Sequence, residues 1–280
     1  MILREFTPGG ILQEFVQRFR VIHFEFASPQ AVTSKIYIPR PECILHFTLR
    51  DSWSISAQGK NDVQPAVVFR GQCTSTLQQC TNQSFLGAQI IFHPASVFRL
   101  IGIPASELAN QHIDAQCLFS ADVLHCLDQL QHALTYADMI PILEAFVLKV
   151  VKNCNDRGLA IDRVSRQMIY DQNKLDMDDL ADQSCMSVRN FRRRFSECVG
   201  VNPMTYAKII RLNRAYNLKN AYPDLDWLSI AVDSNYFDYQ HMVKDFKLFT
   251  DHTPIELNKL EKRAPERLLG LSKQLYLDRV

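Results

Sequence analysis

Two hydrophobic periods divide this chain. From Arg20 to about Pro94, Phe, Ile, Val and Thr alternate with polar residues in short runs: VIHFEF at 21–26, KIYIP at 35–39, CILHFTL at 43–49, AVVFR at 66–70 and AQIIF at 88–92. Pro, Gly, Asn and Asp punctuate the joins. Period-two runs of this length predict strands, and so many short strands predict a small barrel or a two-sheet sandwich.

Beyond Pro94 the period lengthens to that of a helix. PASVFRLIG carries Val97, Phe98 and Ile101 on one face, and IPASELANQ adds a short helical turn. Positions 120–135 (Val123, Leu127, Leu130, Leu134) and 139–153 (Ile142, Leu143, Phe146, Val147, Val150) predict two amphipathic helices, which can form a hairpin. Two readings of its apolar edge stay open: it packs on the barrel, or it receives a second chain in a homodimer.

Asn153 to Gly158 (NCNDRG) is polar and punctuated, as a linker would be, and Ile161, Val164, Met168 and Ile169 then open a second domain. Its most informative stretch is MDDLADQSCMSVRNFRRRFSECVG at 177–200. A short helix with Leu180 and Ala181 is followed by a turn at Ser184–Met186. Ser187 then caps a second helix, which gives a helix-turn-helix pattern. At about 100° per residue Phe191, Phe195, Val188 and Cys198 face inward, Arg189 and Arg193 point the opposite way, and Arg192 and Arg194 lie on the two flanks. In a major groove the outward pair would meet base edges and the flanks would meet phosphates, with Asn190 beside them.

The scheme recurs from Asp226. Leu228, Ile230 and Ala231 lie on a first helix, a turn follows near Asn235, Asp238 is the N-cap, and Met242 and Phe246 are the inward residues. Gln240 and Lys244 fall where Arg189 and Arg193 fell, with Tyr239 alongside as a further candidate contact. Between the copies Gly200 ends the first unit and Pro203 starts a helix whose inward face is Tyr206, Ile209, Leu212, Ala215 and Leu218. Positions 204–219 would span roughly 24 Å, enough to hold two heads in successive major grooves about 34 Å apart once their own widths are added.

These landmarks, in the order L-A, S-x-x-x-F-x-x-x-F, G-x-x-P-x-x-Y-x-x-x-x-R, I-A, F-K and T-P, resemble the AraC/XylS family of bacterial transcription regulators over about the last 100 folded residues. The resemblance implies a DNA-binding domain of seven helices whose two recognition helices read bases. Cys185 and Asn235 stand where the family usually has Gly in each turn, Asp251 where a Gly usually precedes Thr253-Pro254, and Ile255-Glu256-Leu257 where the ending is usually aromatic and basic. The N-terminal portion is similar to the cupin-like sensor barrels found ahead of this domain. That likeness rests on the strand rhythm, Ile38-Pro39, Glu42 to Phe47, and HPAS leading into IGIPASEL.

The expected fold is therefore α+β: a cupin-like barrel with a helical hairpin at 1–155, an all-α double helix-turn-helix domain at 159–263, and a tail at 264–280. Expected partners are double-stranded DNA, a small-molecule effector, a second copy of the chain and, for an activator, RNA polymerase.

Charge refines this picture. The net charge is +1 over 280 residues, but Arg189, Arg192, Arg193, Arg194, Lys208, Arg211, Arg214 and Lys219 face only Glu197 between Val188 and Lys219, while acidic residues prevail from Asn220 to Arg263. If affinity follows phosphate neutralisation, the first unit contributes most of it. No segment approaches the 18 or so apolar residues of a membrane span, and MILREFTPGG lacks a signal-peptide layout, so a cytoplasmic protein with no membrane partner is expected. The 8 cysteines include no C-x-x-C pair, which points to reduced thiols; a Cys73 and Cys80 redox pair is the minority reading.

A catalytic cupin would need His-x-His and Glu on barrel strands to hold a metal, whereas His23, His46 and His93 stand alone. No cofactor, metal or catalytic residue is expected. A metal-dependent barrel enzyme with a degenerate C-terminal domain is the alternative, and convergence of the three histidines would favour it. A regulator acting without any ligand is a third reading. Most of the aromatics Phe24, Phe26, Tyr37, Phe47, Trp53, Phe69 and Phe92 are expected in the core, with one or two free to line a pocket.

Overall fold

The computed structural model describes residues 2–26, 33–57, 60–81, 84–152, 154, 160–170, 176–262 and 264. The expected linker, apart from Cys154, and the expected tail, apart from Ala264, lie outside them.

The N-terminal portion runs β1 (Ile2–Phe6), a 3-10 turn (Gly10–Glu14), β2 (Val16–Glu25), β3 (Thr33–Tyr37), β4 (Cys43–Arg50), β5 (Trp53–Ala57), β6 (Lys60–Val63), β7 (Val67–Arg70), β8 (Leu77–Thr81) and β9 (Ser84–Phe92). After these come α1 (Ser96–Ile101), α2 (Ala105–Leu108), β10 (His112–Asp114), α3 (Gln116–Phe119), α4 (Asp122–Gln131) and α5 (Met139–Lys152). The strands form two antiparallel sheets, β1-β2-β9-β4-β7-β10 and β3-β8-β5-β6. The five expected strands are present, with β2 and β9 longer than their apolar runs. β1, β5, β6, β8 and β10 lack a distinct apolar run, as LQQCT in β8 illustrates; β1, β8 and β10 pair with the stronger β2, β3 and β7, while β5 pairs with β6 and β8.

Alternation along β4 explains the layering. Cys43, Leu45 and Phe47 join Phe69, Phe119, Phe146 and Val147 in a core between the large sheet and the helices. His46 turns the other way and packs against Trp53 and Phe85, beside a second core of Phe24, Phe26 and Val68 between the sheets. The hairpin thus buries its apolar stripe on the sheet, through Val123, Leu127, Leu130, Leu143, Phe146 and Val147. Leu134 departs from expectation. α4 stops at Gln131, and Leu134 stands 94% exposed in the loop beyond it.

The C-terminal portion comprises α6 (Ala160–Tyr170), α7 (Met177–Gln183), α8 (Val188–Val199), α9 (Pro203–Ala221), α10 (Trp227–Asp233), α11 (Tyr239–Thr250) and α12 (Pro254–Glu261). Their starts are chemically marked. Asp176, Ser187, Asn202, Asp226, Asp238 and Thr253 each accept a backbone N–H of the first turn through the side chain. One core joins α6, α7, α8 and the start of α9, and another joins the rest of α9 with α10, α11 and α12. Expected inward residues Leu180, Ala181, Phe191, Phe195, Cys198, Met242 and Phe246 are all buried. Leu228 is not: it is 60% exposed, while Ile230 and Ala231 are buried and Trp227 packs its ring edge-on to Phe246.

The two portions dock closely. Ile38, after β3, enters the α9–α11 core, and Ala95 and Phe98 enter the α6–α8 core. Pro39 O accepts from the Asn213 amide. The Arg99 side chain, 1% exposed, donates to Asp162 of α6 at 2.7 Å and to Glu14 at 2.6 Å.

Candidate DNA-reading surface

The two helix-turn-helix units repeat at a spacing readable residue by residue. α7 and α10 have 7 residues each, α8 and α11 have 12 each. Cys185 and Asn235 both adopt the left-handed conformation, with φ of 53° and 61°. Met186 N–H donates to Ala181 O, and Tyr236 N–H donates to Ala231 O, closing equivalent turns. The caps Ser187 and Asp238 are then one residue out of this phase, and the extra residue is Phe237, 91% exposed. Gly200 and Asp251 close the two recognition helices with φ of 99° and 59°, so Asp251 takes the conformation that Gly would serve best.

On α8, Arg189, Asn190, Arg192 and Arg193 are exposed. Arg193 donates to Asn190 Oδ1 at 3.1 Å, and its guanidinium lies 3.5 Å from Glu197. Arg194 is more enclosed. It donates to Glu197 Oε2 at 2.9 Å, and its guanidinium lies 5.8 Å from the centroid of the Phe98 ring of α1. One flank of the first recognition helix is therefore covered by α1 and α2, and a Cβ placed on Gly200 would come within 3.0 Å of Ala105 O. On α11, Gln240 and Lys244 are exposed at the positions matching Arg189 and Arg193, while Tyr239 is half-buried against the core.

Other basic residues of the stretch serve inside the protein. Lys208 and Arg211 of α9 hold Asp245 of α11, itself 2% exposed, at 3.2 and 3.5 Å. Lys219 donates to Leu225 O and lies over the Trp227 ring. The basic excess between Val188 and Lys219 is thus divided between an outward face on α8 and braces between helices. Along the chain all eight basic residues look equally available to DNA, because a helix's polar face gives no sign of which part another element covers.

His23, His46 and His93 go to different partners. His23 Nδ1 meets the Tyr136 hydroxyl at 2.5 Å, and His93 Nε2 meets Gln13 O at 3.2 Å. His46 is buried, and Gln89, whose oxygen accepts from Arg20, presents its amide to His46 Nδ1 at 2.9 Å, which places the ring proton on Nε2. Burial, then Arg70 and Arg20, push the His46 pKa down to about 3, so the ring stays neutral. Among the described residues no cluster of three or more His, Cys, Asp or Glu could hold a metal. His23, His46 and His93 thus do not converge on one site, as the metal-dependent alternative would need.

Two helix-turn-helix units joined by one helix, each with polar residues on the exposed face of its second helix, define a double-headed DNA-binding protein. The family described as a helix-turn-helix domain matches residues 180–259, and one described as a domain of unknown function matches 4–114. The helix-turn-helix match supports the resemblance to the AraC family, and the chain is a DNA-binding transcription regulator. Among solved structures, ToxT from Vibrio cholerae O395 is 13% identical with a TM-score of 0.47, covering 89% of this chain and 98% of that one. Unsaturated fatty acid bound ToxT from Vibrio cholerae strain SCE256 is 12% identical with a TM-score of 0.49, covering 87% and 95%. The AraC-like transcriptional activator CuxR is 12% identical with a TM-score of 0.26, covering 77% and 87%. Among curated proteins, none matches the chain.

Proposed function

We propose that this regulator reads its operator through Arg189 and Arg193 in one major groove and Gln240 and Lys244 in the next. The supporting observation is that both pairs are exposed at the same offset from a capping residue, on recognition helices of equal length. Arg189 and Arg193 suit guanine, whose O6 and N7 accept a guanidinium bidentately; Gln240 suits adenine. Asn190, Arg192 and Tyr239 lie beside these readers and hold the backbone or adjoining bases. Arg194 reaches phosphate only when Phe98 moves off it, so full engagement of the first head requires the N-terminal portion to shift.

In this reading the chain divides into a sensing and dimerising domain at 1–155, a DNA-binding domain at 159–263 and a tail, acts in the cytoplasm without catalysis, and is modulated by a small effector. A homodimer would bring two pairs of heads to DNA, with RNA polymerase the further partner of an activator. Selection of bound fragments from random duplex DNA tests the assignment. Two short conserved blocks about one helical turn apart are expected. Arg189→Ala should relax preference at a few base pairs of one block, whereas Arg192→Ala should weaken all sequences alike. An unchanged preference after Arg189→Ala refutes it.

A further inference from the structure

We propose that the cleft between the N-terminal sheets and α9 is a binding site for a small dianion, and that this ligand holds the two portions together. The proposal rests on the regulator reading above and names its effector class.

The cleft has a volume of about 600 Å³, within the range of small-molecule sites. Arg18, Arg20 and Arg40 line it from the N-terminal side, and Arg211 and Arg214 from α9. Only Glu5 and Glu42 oppose these five guanidiniums among its lining residues. Glu5 is bound to Arg20 at 2.7 Å and to Arg18 at 3.4 Å, while Glu42 lies 3.8 Å from both Arg20 and Arg40. Arg211 has a carboxylate behind it in Asp245. Arg214 has no ion pair or hydrogen bond among the described residues, and its Nε is buried without a partner, as are those of Arg18 and Arg211.

Buried guanidinium nitrogens left without acceptors, in a cleft with surplus positive charge, are what an anion would complete. The planar fork of arginine pairs with the two oxygens of a carboxylate or phosphate, and two opposing arginine walls call for two negative charges on one small molecule. Arg20 is already aimed by Glu5 and Gln89, so little order must be imposed when the ligand arrives. A dicarboxylate and a phosphate monoanion or dianion share this chemistry.

Such a ligand would bridge the N-terminal portion to α9 and thereby stabilise the docked arrangement, in which α1 and α2 cover one flank of α8. Coupling is reciprocal: DNA that needs that flank and a ligand that needs the closed cleft weaken each other.

The test titrates the full chain with malonate and, separately, with inorganic phosphate, in a calorimeter and against sodium chloride at matched ionic strength. Saturable binding of at least one dianion is expected, at least fivefold weaker in Arg214→Gln and unchanged in Arg50→Gln, whose surface arginine lies outside the cleft. Arg214 braces nothing among the described residues, so its variant should fold; Arg18→Gln gives an independent second readout. No saturable binding of either anion, or equal binding by Arg214→Gln and the parent, overturns the proposal. Malonate and phosphate results separate the two ligand sources. DNA binding of the parent without anion is measured alongside. Its absence sinks the regulator reading, whereas DNA binding with no anion binding sinks only the cleft. The bound dianion should also weaken DNA binding severalfold, and an unaltered DNA affinity at saturation overturns the coupling.

Discussion

Glu197 should restrain the first recognition head. Its carboxylate is the one acidic group within the basic stretch from Val188 to Lys219, and it engages Arg194 at 2.9 Å and Arg193 at 3.5 Å. Glu197→Gln keeps the side chain's size and removes the charge. Helix pairs at these spacings contribute about 0.2–0.5 kcal/mol each, so folding stability should fall by less than about 1 kcal/mol. The effect on DNA is larger. One additional effective cation at the phosphates steepens the salt dependence of log K by about 0.9, which at roughly 0.1 M salt corresponds to about an eightfold gain over a high-salt reference. Anisotropy titrations of a duplex without an operator, over a salt series, read both quantities. An unchanged slope would mean that Arg193 and Arg194 do not approach phosphate, and a weaker complex would mean that Glu197 orients them for binding; either result refutes the restraint.

Four further outcomes are expected. Arg193→Ala should lose about 1–3 kcal/mol of specific DNA binding and Lys244→Ala distinctly less, as read in a salt-controlled binding assay, because the second unit lies in an acidic stretch. Asp162→Ala should cost about 3 kcal/mol of stability in denaturant titrations, since it strips Arg99 and Arg166 of a carboxylate that is 3% exposed while Glu14 still holds Arg99. Gly200→Ala should cost about 1–2 kcal/mol from its φ of 99°, with an added loss where its Cβ meets Ala105 O, measured as a lower melting temperature. His46 is neutral when folded, with a pKa of about 3 against 6.5 unfolded, so the unfolded chain takes up more protons between those values. Stability is then full above pH 6.5 and falls below it, by about 2 kcal/mol at about pH 5 through His46 alone, and His46→Gln should flatten that slope.

Much of the C-terminal architecture was legible in the chain. Capping residues, helical periods and Gly200 mark the ends of α8, α9 and α11 by local chemistry alone. The left-handed turns at Cys185 and Asn235 fall where the recurrence placed them. The N-terminal strands were half legible. β4 and β9 carry their own hydrophobic runs, whereas β8 with its LQQCT does not; its pairing with β3 and β5 comes from chain segments far away. Phe237 shows both sides: the one-residue offset between the units is present in the spacing, but only the folded turn shows that the added residue projects outward.

What the sequence by itself determined is which side of each helix is apolar, because that depends on a period of a few residues. How the polar side is shared between solvent, a neighbouring helix and the N-terminal sheets was decided by the tertiary structure alone. Arg189, Arg194, Arg211 and Arg214 are the same residue type within one short stretch. One is open to solvent, one lies beside Phe98, one holds Asp245, and one lines a cleft whose other wall begins more than two hundred residues earlier in the chain. Charge acts over distances in space, and only folding turns separation along the chain into distance.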